Sequence, residues 1–145
     1  MLTYYHGTDE TSAQSIIKNG ADITKGGGEL GNGFYIGSSL WRAYSWAWQR
    51  AQQKTSANSK VGYSVIEYNL DESDFLKLDI LCLNRNSTME RFVDLKKNNL
   101  LCQWQSDHDA IWAPLVGCNI QDAYQIKFES QIGENYINNQ KTRIL

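Results

Sequence analysis

The chain has 145 residues, of which 41% are hydrophobic, 12% aromatic and 21% charged. This balance is typical of a globular protein and excludes a disordered or fibrous chain. The 14 Lys and Arg residues against 16 Asp and Glu residues give a formal net charge of −2, which provides no strong positive field for nucleic acid or an anionic membrane.

The length predicts one domain over residues 1–145, because a chain of this size buries about two thirds of its unfolded surface in a single core. We expect this domain to be a monomer. The first residues contain no basic segment followed by an apolar one, and no stretch approaches the length that crosses a bilayer. We therefore expect action in the cytoplasm without membrane contact, after direct synthesis there or delivery by a secretion device.

The cysteines and the second histidine do not have the spacing of a metal site. Cys82, Cys102 and Cys118 are odd in number and lack a CxxC pair, which argues against a disulfide framework and a thiolate zinc site. We expect reduced, mostly buried thiols. The Asp-His-Asp segment at residues 107–109 is interpreted as a surface loop or strand start, and no metal is predicted.

The first 33 residues are interpreted as a strand, a helix and a loop. Residues 2–5 favour a strand that delivers His6 to its end. Acidic and hydroxyl residues at 9–12 suit a helix N-terminus, and Gly20 suits its C-terminal cap. Residues 25–33 contain five glycines and predict a loop.

A short strand at residues 34–36 and an aromatic helix at residues 40–53 are predicted next. The helix has two candidate core-facing sides, which the sequence does not distinguish. One carries Trp41, Tyr44 and Trp48, and the other carries Ala43, Trp46, Ala47 and Arg50.

The second half of the chain predicts more strand than helix. Ser87 and Glu90 have the spacing of a capping box, which predicts a helix to about Asn98. Alternating or β-favouring runs predict strands at residues 61–70, 75–81, 109–115 and 123–130. The mixture of strands with three short helices predicts an α+β fold.

Two motifs, in this order, carry a family resemblance: His6-Gly7-Thr8, and Gly31-Asn32-Gly33-Phe34-Tyr35 after the glycine-rich loop. With their helix contexts, they resemble the diphtheria-toxin-like branch of the ADP-ribosyltransferase superfamily, which includes the poly(ADP-ribose) polymerases. Residues 109–114 and 125–128 look like the closing segments of small bacterial relatives, whereas residues 54–97 contribute little. The resemblance implies an ADP-ribosyltransferase-like split β-sheet core with short flanking helices and an NAD cleft.

The resemblance also implies NAD+ as substrate and gives roles to the motif residues. Tyr35 would stack on one face of the nicotinamide ring, and Trp46 would supply the second aromatic face. Nicotinamide in NAD+ is a cation, which aromatic faces attract by about 1 kcal/mol or more where water is excluded. The backbone of Gly7 would bond the carboxamide, and His6 and Thr8 would bond the adenosine ribose.

Two further positions complete the expected NAD+ site. Gly33 belongs to the second motif, and Ala43 stands where relatives carry a serine that approaches the carboxamide, so this bond is expected to be lost. The third signature position, which usually holds a glutamate that bonds the nicotinamide ribose, corresponds to Gln125. Glu129 lies on the same side of the predicted strand and is the second candidate.

The resemblance therefore predicts a mono-ADP-ribosyltransferase that acts on a macromolecule, a protein rather than a nucleic acid, as a toxin or effector would. Because glutamine supplies no negative charge, transfer of one ADP-ribose or slow NAD+ hydrolysis is favoured over chain elongation. An NAD+ glycohydrolase and a catalytically weak NAD-binding module remain alternatives. A relative that acts on RNA ends is disfavoured by the acidic charge balance.

Overall fold

A computed structural model describes residues 2–117 and 123–145, which form a seven-stranded sheet and five helices. The strands are β1 (Leu2–Asp9), β2 (Phe34–Gly37), β3 (Tyr63–Leu70), β4 (Ile80–Cys82), β5 (Ala110–Pro114), β6 (Tyr124–Phe128) and β7 (Lys141–Ile144). They lie in the order β4-β5-β6-β2-β1-β3-β7, and β4 and β5 form the parallel pair. The predicted α+β class is confirmed at this level.

The helices begin at side chains that accept hydrogen bonds from the first turn. They are α1 (Glu10–Asn19), α2 (Leu40–Lys54), α3 (Glu72–Phe75), α4 (Arg85–Lys97) and α5 (Gln131–Asn138). Asp9 caps α1 by accepting from the Ser12 N–H, and Ser39 caps α2 by accepting from the Arg42 N–H. None of the described helices is long and apolar enough to cross a membrane.

The strand predicted to end at His6 continues to Asp9. Thr8 and Asp9 still pair with Ser64 and Tyr63 on β3, so His6 lies within the strand rather than at its end. The prediction was wrong because the Gly7-Thr8 pair was interpreted as a stop, whereas the neighbouring strand supplies hydrogen-bond partners past it. The predicted helix boundaries at Asp9 and Gly20 are confirmed.

The other differences lie in the second half. Residues 75–81 are not one strand, because α3 ends at Phe75 and β4 begins at Ile80. The capping box pairs Asn84 with Ser87 rather than Ser87 with Glu90. The predictions included neither α5 nor β7. Cys82 and Cys102 are free and exposed, contrary to the expectation of buried thiols, and Cys118 lies outside the described residues.

The two faces of the sheet are covered differently. On one face, strand residues pack against α1 and α5 in the main apolar cluster, which includes Phe34, Ile66, Phe128 and Ile137. On the other face, Ala43 and Ala47 of α2 pack on Val65, while a separate cluster forms around Leu30, Ile111 and Ala113. The second face therefore has two apolar clusters rather than one.

Candidate functional site

Strands β1 and β2 are joined at a single residue pair. Tyr5 pairs with Gly37, whereas β1 shares eight pairs with β3 and β2 shares four with β6. If the β1–β2 ladder continued, Gly7 would lie opposite Tyr35. The ladder holds only the Tyr5–Gly37 pair instead, and residues of the two strands contribute to different apolar clusters, Tyr35 to one and Tyr5 to the other. We call this place the β1–β2 junction.

His6 bridges the two strands at the junction. Its Nδ1 lies 2.6 Å from the Tyr35 carbonyl oxygen. A carbonyl oxygen only accepts hydrogen bonds, so Nδ1 carries the proton and Nε2 has a free lone pair in the neutral ring. Burial lowers the pKa of His6, and the nearby Arg50 guanidinium lowers it further, against the hydrogen bond to Tyr35. The ring stacks on Phe34 at 4.4 Å and is neutral at pH 7.

Side-chain alternation separates the histidine and tyrosine rings. The pairing of Tyr5 with Gly37 places Tyr5, Gly7 and Tyr35 on the α2 side of the sheet, and His6 and Phe34 on the opposite side. The structure therefore brings the His6 ring to the main chain of Tyr35, not to its ring.

Gly7 lies directly beneath α2. A Cβ atom at this position would come within 1.9 Å of the Ala43 carbonyl oxygen, so only glycine allows the helix to approach β1 this closely. Ala43 itself is buried. The structure thus brings together the two residues that the sequence placed at the nicotinamide carboxamide.

The Tyr35 ring is half-buried and held by the glycine-rich loop. Its hydroxyl donates to the Gly31 carbonyl oxygen at 2.6 Å and accepts from the Leu30 N–H at 3.0 Å. Burial strongly raises the pKa of this phenol. Gly28 lies against the ring, where an added Cβ would be 2.8 Å from Cζ. The loop therefore occupies the hydroxyl end of Tyr35.

Trp46 lies on α2 with about half of its surface exposed, at 52%. Ala43, Ala47 and Ala51 form the buried side of this helix, so the second candidate side faces the core without Trp46. Within the described part of the chain, Trp46 makes no ring contact with Tyr35.

Two surface cavities lie apart from these residues. One of about 590 Å³ is lined by Leu81, Leu83, Ser87, Glu90, Arg91, Asp94, Trp104, Gln105 and Ser106. Another of about 420 Å³ is lined by Trp41, Tyr44, Ser45, Trp48 and Tyr63. Neither is lined by His6, Tyr35, Trp46 or Gln125.

Two of the predicted NAD+ contacts are occupied by protein groups. Thr8 is buried, and its hydroxyl faces the Asp9 carboxylate at 3.4 Å. Gly33 is buried against β6, where an added Cβ would lie 2.7 Å from the Phe128 carbonyl oxygen. Both residues support the local structure around the junction.

Gln125 lies beside the junction on the same side of the sheet as Tyr35. It pairs with Gly37, which in turn pairs with Tyr5. Its side chain is 3% exposed, and its Nε2 donates to Glu29 Oε1 at 2.9 Å and to the Pro114 carbonyl oxygen at 3.2 Å. Both amide hydrogens of Gln125 are therefore engaged.

Glu129, the second candidate, belongs to a buried network. Lys127 Nζ lies 2.5 Å from its Oε2, and both side chains are almost fully buried. The carboxylate also accepts from the Ser106 N–H and hydroxyl and from the His108 N–H. Burial raises its pKa, but the Lys127 and Ser106 hydrogen bonds outweigh this and lower the pKa overall. Glu129 therefore anchors the loop before β5.

Sequence reasoning did not identify Glu29 or Arg50 as site residues. Glu29 comes from the glycine-rich loop, and its carboxylate meets Gln125 across 96 positions of the chain. Arg50 lies two helical turns after Ala43 and acts electrostatically on His6. A single carboxylate within a loop of glycines was the available signal for Glu29, whereas nothing in the sequence distinguished Arg50.

Comparison with known protein families finds no family model that matches this chain, and no curated protein matches it either. Within residues 2–117 and 123–145, no group of three or more His, Cys, Asp or Glu side chains is arranged to hold a metal ion.

Proposed function

We propose that the protein binds NAD+ at the β1–β2 junction, cleaves the nicotinamide–ribose bond and transfers a single ADP-ribose to a macromolecule. The bond between C1′ of the ribose and the nicotinamide nitrogen breaks, and its electron pair neutralises the pyridinium ring. The ribose carbon becomes oxocarbenium-like, as in other glycosidic cleavages, and the acceptor bonds to it with loss of a proton.

The observation that carries this proposal is the bridge from His6 Nδ1 to the Tyr35 carbonyl across the single-pair junction. It brings together the strands that carry the two motifs and fixes the tautomer of the imidazole. Nε2 is then an acceptor suited to a ribose hydroxyl, and it requires no proton change at pH 7.

The surroundings of the junction also suit a dinucleotide. Gly7 packs closely against the Ala43 carbonyl, so these two residues set the separation of β1 and α2 beside the junction. Tyr35 is half-buried on the α2 side of the sheet and Trp46 on α2 is 52% exposed, and aromatic faces attract a pyridinium cation. The positive charge of Arg50 on α2 helps to lower the pKa of His6, and a guanidinium would attract a pyrophosphate.

A protein acceptor in a cytosol is part of the proposal. The formal net charge of −2 disfavours a nucleic-acid acceptor. The acceptor itself would be chosen by surface loops, which vary more than the pocket does.

One observation favours a weaker activity as the second candidate. Both amide hydrogens of Gln125 already bond protein oxygens, so this side chain has no hydrogen left for the ribose. NAD+ hydrolysis, or NAD+ binding without turnover, would follow if no other group stabilises the ribosyl cation.

The test uses the two histidines of the chain as a matched pair. Wild type, His6→Ala and His108→Ala are incubated with NAD+ carrying a label on the adenosine side, with and without a cell lysate. We expect nicotinamide release by wild type and by H108A, and a fall of about 100-fold in H6A, since loss of one positioning group in an active site commonly costs this much. Among the described residues, the His108 side chain has its hydrogen bonds with Ser106 of its own loop.

The fate of the label separates the candidates. Label that becomes insoluble in acid and is removed by protease indicates transfer to protein, and removal by nuclease indicates a nucleic-acid acceptor. Free ADP-ribose indicates hydrolysis. Thermal stabilisation by NAD+ without release of nicotinamide indicates a binding module, because a ligand at about 100 times its Kd adds about 2.7 kcal/mol. If NAD+ does not stabilise the protein and no nicotinamide is released, the proposal is contradicted.

A further inference from the structure

The glycine-rich loop delivers a carboxylate to the position where the family resemblance expects one and β6 offers only an amide. Glu29 Oε1 accepts from Gln125 Nε2 at 2.9 Å and from the Val116 N–H at 3.0 Å, and its Oε2 accepts from the Gly117 N–H at 2.6 Å. Three donors from two distant segments thus hold this side chain in place.

The donors around Glu29 are all neutral. Within residues 2–117 and 123–145, no lysine, arginine or histidine forms an ion pair with it. The side chain is half-buried, so its charge is only partly screened by water. Burial is the main cause that raises the pKa of the Tyr35 phenol, and the negative charges of Glu29 and Glu129 both raise it further. An uncompensated carboxylate therefore lies close to both Gln125 and Tyr35.

We propose that Glu29 supplies, through Gln125, the negative charge that stabilises the ribosyl cation during NAD+ cleavage. Glu29 fixes the Gln125 amide as a positioning residue, and its charge acts at the third signature position without any covalent bond to the sugar. This inference rests on the proposed function. Glu29 would supply the negative charge and Gln125 would hold the third signature position, whereas one glutamate usually does both.

The arrangement predicts that Gln125→Glu lowers the activity, although it restores the glutamate that usually holds the third signature position. A second carboxylate at position 125 would face Glu29 at the present distance of 2.9 Å and repel it, rather than improve catalysis. The double variant E29Q/Q125E exchanges the two groups and keeps one carboxylate and one amide in contact. If activity depends on one negative charge at this place, the double variant should keep it. If activity depends on the particular side chain at either position, the double variant should lose it.

Glu134 provides the matched control. Its carboxylate is half-buried and accepts from a glutamine amide, Gln131, at 3.1 Å and from a distant backbone N–H, Ile23, at 3.1 Å. It reproduces the donor types around Glu29, but it lies on α5, which packs on the opposite face of the sheet.

The experiment measures kcat and KM for nicotinamide release in wild type, E29Q, Q125E, E29Q/Q125E and E134Q, with unfolding in urea as a check of folding. We expect kcat to fall about 100-fold in E29Q with little change in KM, because loss of one preorganised electrostatic group typically costs 100- to 1000-fold. The kcat of Q125E falls as well, and the kcat of the double variant is at least about 10-fold higher than that of either single variant. The kcat of E134Q equals that of wild type.

Equal kcat in E29Q, E134Q and wild type overturns the inference while the proposed function stands. Failure of the double variant to recover, when it unfolds at the same urea concentration as E29Q, also overturns it. Wild type that releases no nicotinamide overturns the proposed function and this inference together.

Discussion

Two carboxylates on the α2 side of the sheet are held in different ways. Glu129 is almost fully buried, bonds a buried lysine at 2.5 Å and accepts from the loop before β5. Glu29 is half-buried, and its donors among residues 2–117 and 123–145 are the amides of Gln125, Val116 and Gly117. The first forms an ion pair with Lys127, whereas none of the described residues forms an ion pair with the second.

The difference distinguishes a carboxylate that stabilises the fold from one whose charge can act on a ligand. In a buried ion pair the cation compensates the carboxylate, and removing one partner leaves a buried charge without compensation. A carboxylate held by neutral donors keeps its charge and its position, which is what stabilisation of a cationic transition state requires. Burial alone would have ranked Glu129 first.

The largest expected effect comes from removing the cation of the pair. Lys127→Met leaves Glu129 buried without its partner, and Lys127 also donates to the Leu30 carbonyl oxygen at 2.7 Å. We expect a loss of about 3–5 kcal/mol in the free energy of unfolding, measured in urea at pH 7.

The pair of Arg143, whose side chain is 69% exposed, with Glu67 is the control, and Arg143→Met should unfold at nearly the same urea concentration as wild type. A loss in Lys127→Met no greater than that in Arg143→Met would show that Glu129 is not held as a compensated charge, and the comparison would fail.

A smaller effect is expected at the junction itself. Gly7→Ala places a Cβ 1.9 Å from the Ala43 carbonyl oxygen, and backbone on both sides limits relaxation. We expect a loss of about 1–3 kcal/mol, typical of overpacking, and loss of the stabilisation by NAD+.

Gly37→Ala is the neighbouring control, because the nearest atom to its added Cβ is 3.7 Å away, an ordinary contact. This variant should unfold like wild type. Equal stability of Gly7→Ala and Gly37→Ala would mean that α2 does not pack tightly against β1 at Gly7.

The sequence predicted the elements that have local signals. Alternation indicated β3, and Asp9 with Gly20 marked α1, because both patterns act within a few residues. The end of β1 was wrong and β7 was missed, because pairing with β3 decides both. Strand ends of this kind depend on the partner strand rather than on their own residues.

In the candidate site, too, local patterns could be predicted and long-range contacts could not. The sequence indicated His6 and Tyr35 through their motifs, but it did not indicate that their rings lie on opposite faces, which follows from the register of Tyr5 with Gly37. Glu29 and Gln125 meet across 96 positions, a contact that no local pattern encodes. Long-range geometry therefore determines which acid adjoins the junction.

Asp9 is an intermediate case, and it gives the smallest expected effect. Its carboxylate is buried, caps α1 and pairs at 2.7 Å with Lys54, whose side chain is 45% exposed. Burial opposes ionisation, but the hydrogen bonds from Lys54 and Ser12 prevail and lower the pKa of Asp9 well below its usual 3.8. The stability from this charge is therefore fully present above pH 3.8 and is lost as the pH falls toward the folded-state pKa.

Asp9→Asn tests this assignment, because asparagine caps a helix as well as aspartate but carries no charge. We expect it to lower the free energy of unfolding by about 1 kcal/mol at pH 7, since the partner lysine is partly in water. This difference from wild type should shrink in urea titrations at about pH 3, where Asp9 of the unfolded chain is mostly protonated. If the difference in free energy of unfolding between Asp9→Asn and wild type is the same at pH 3 and pH 7, the substitution acts through packing. The charge of Asp9 would then not contribute to stability.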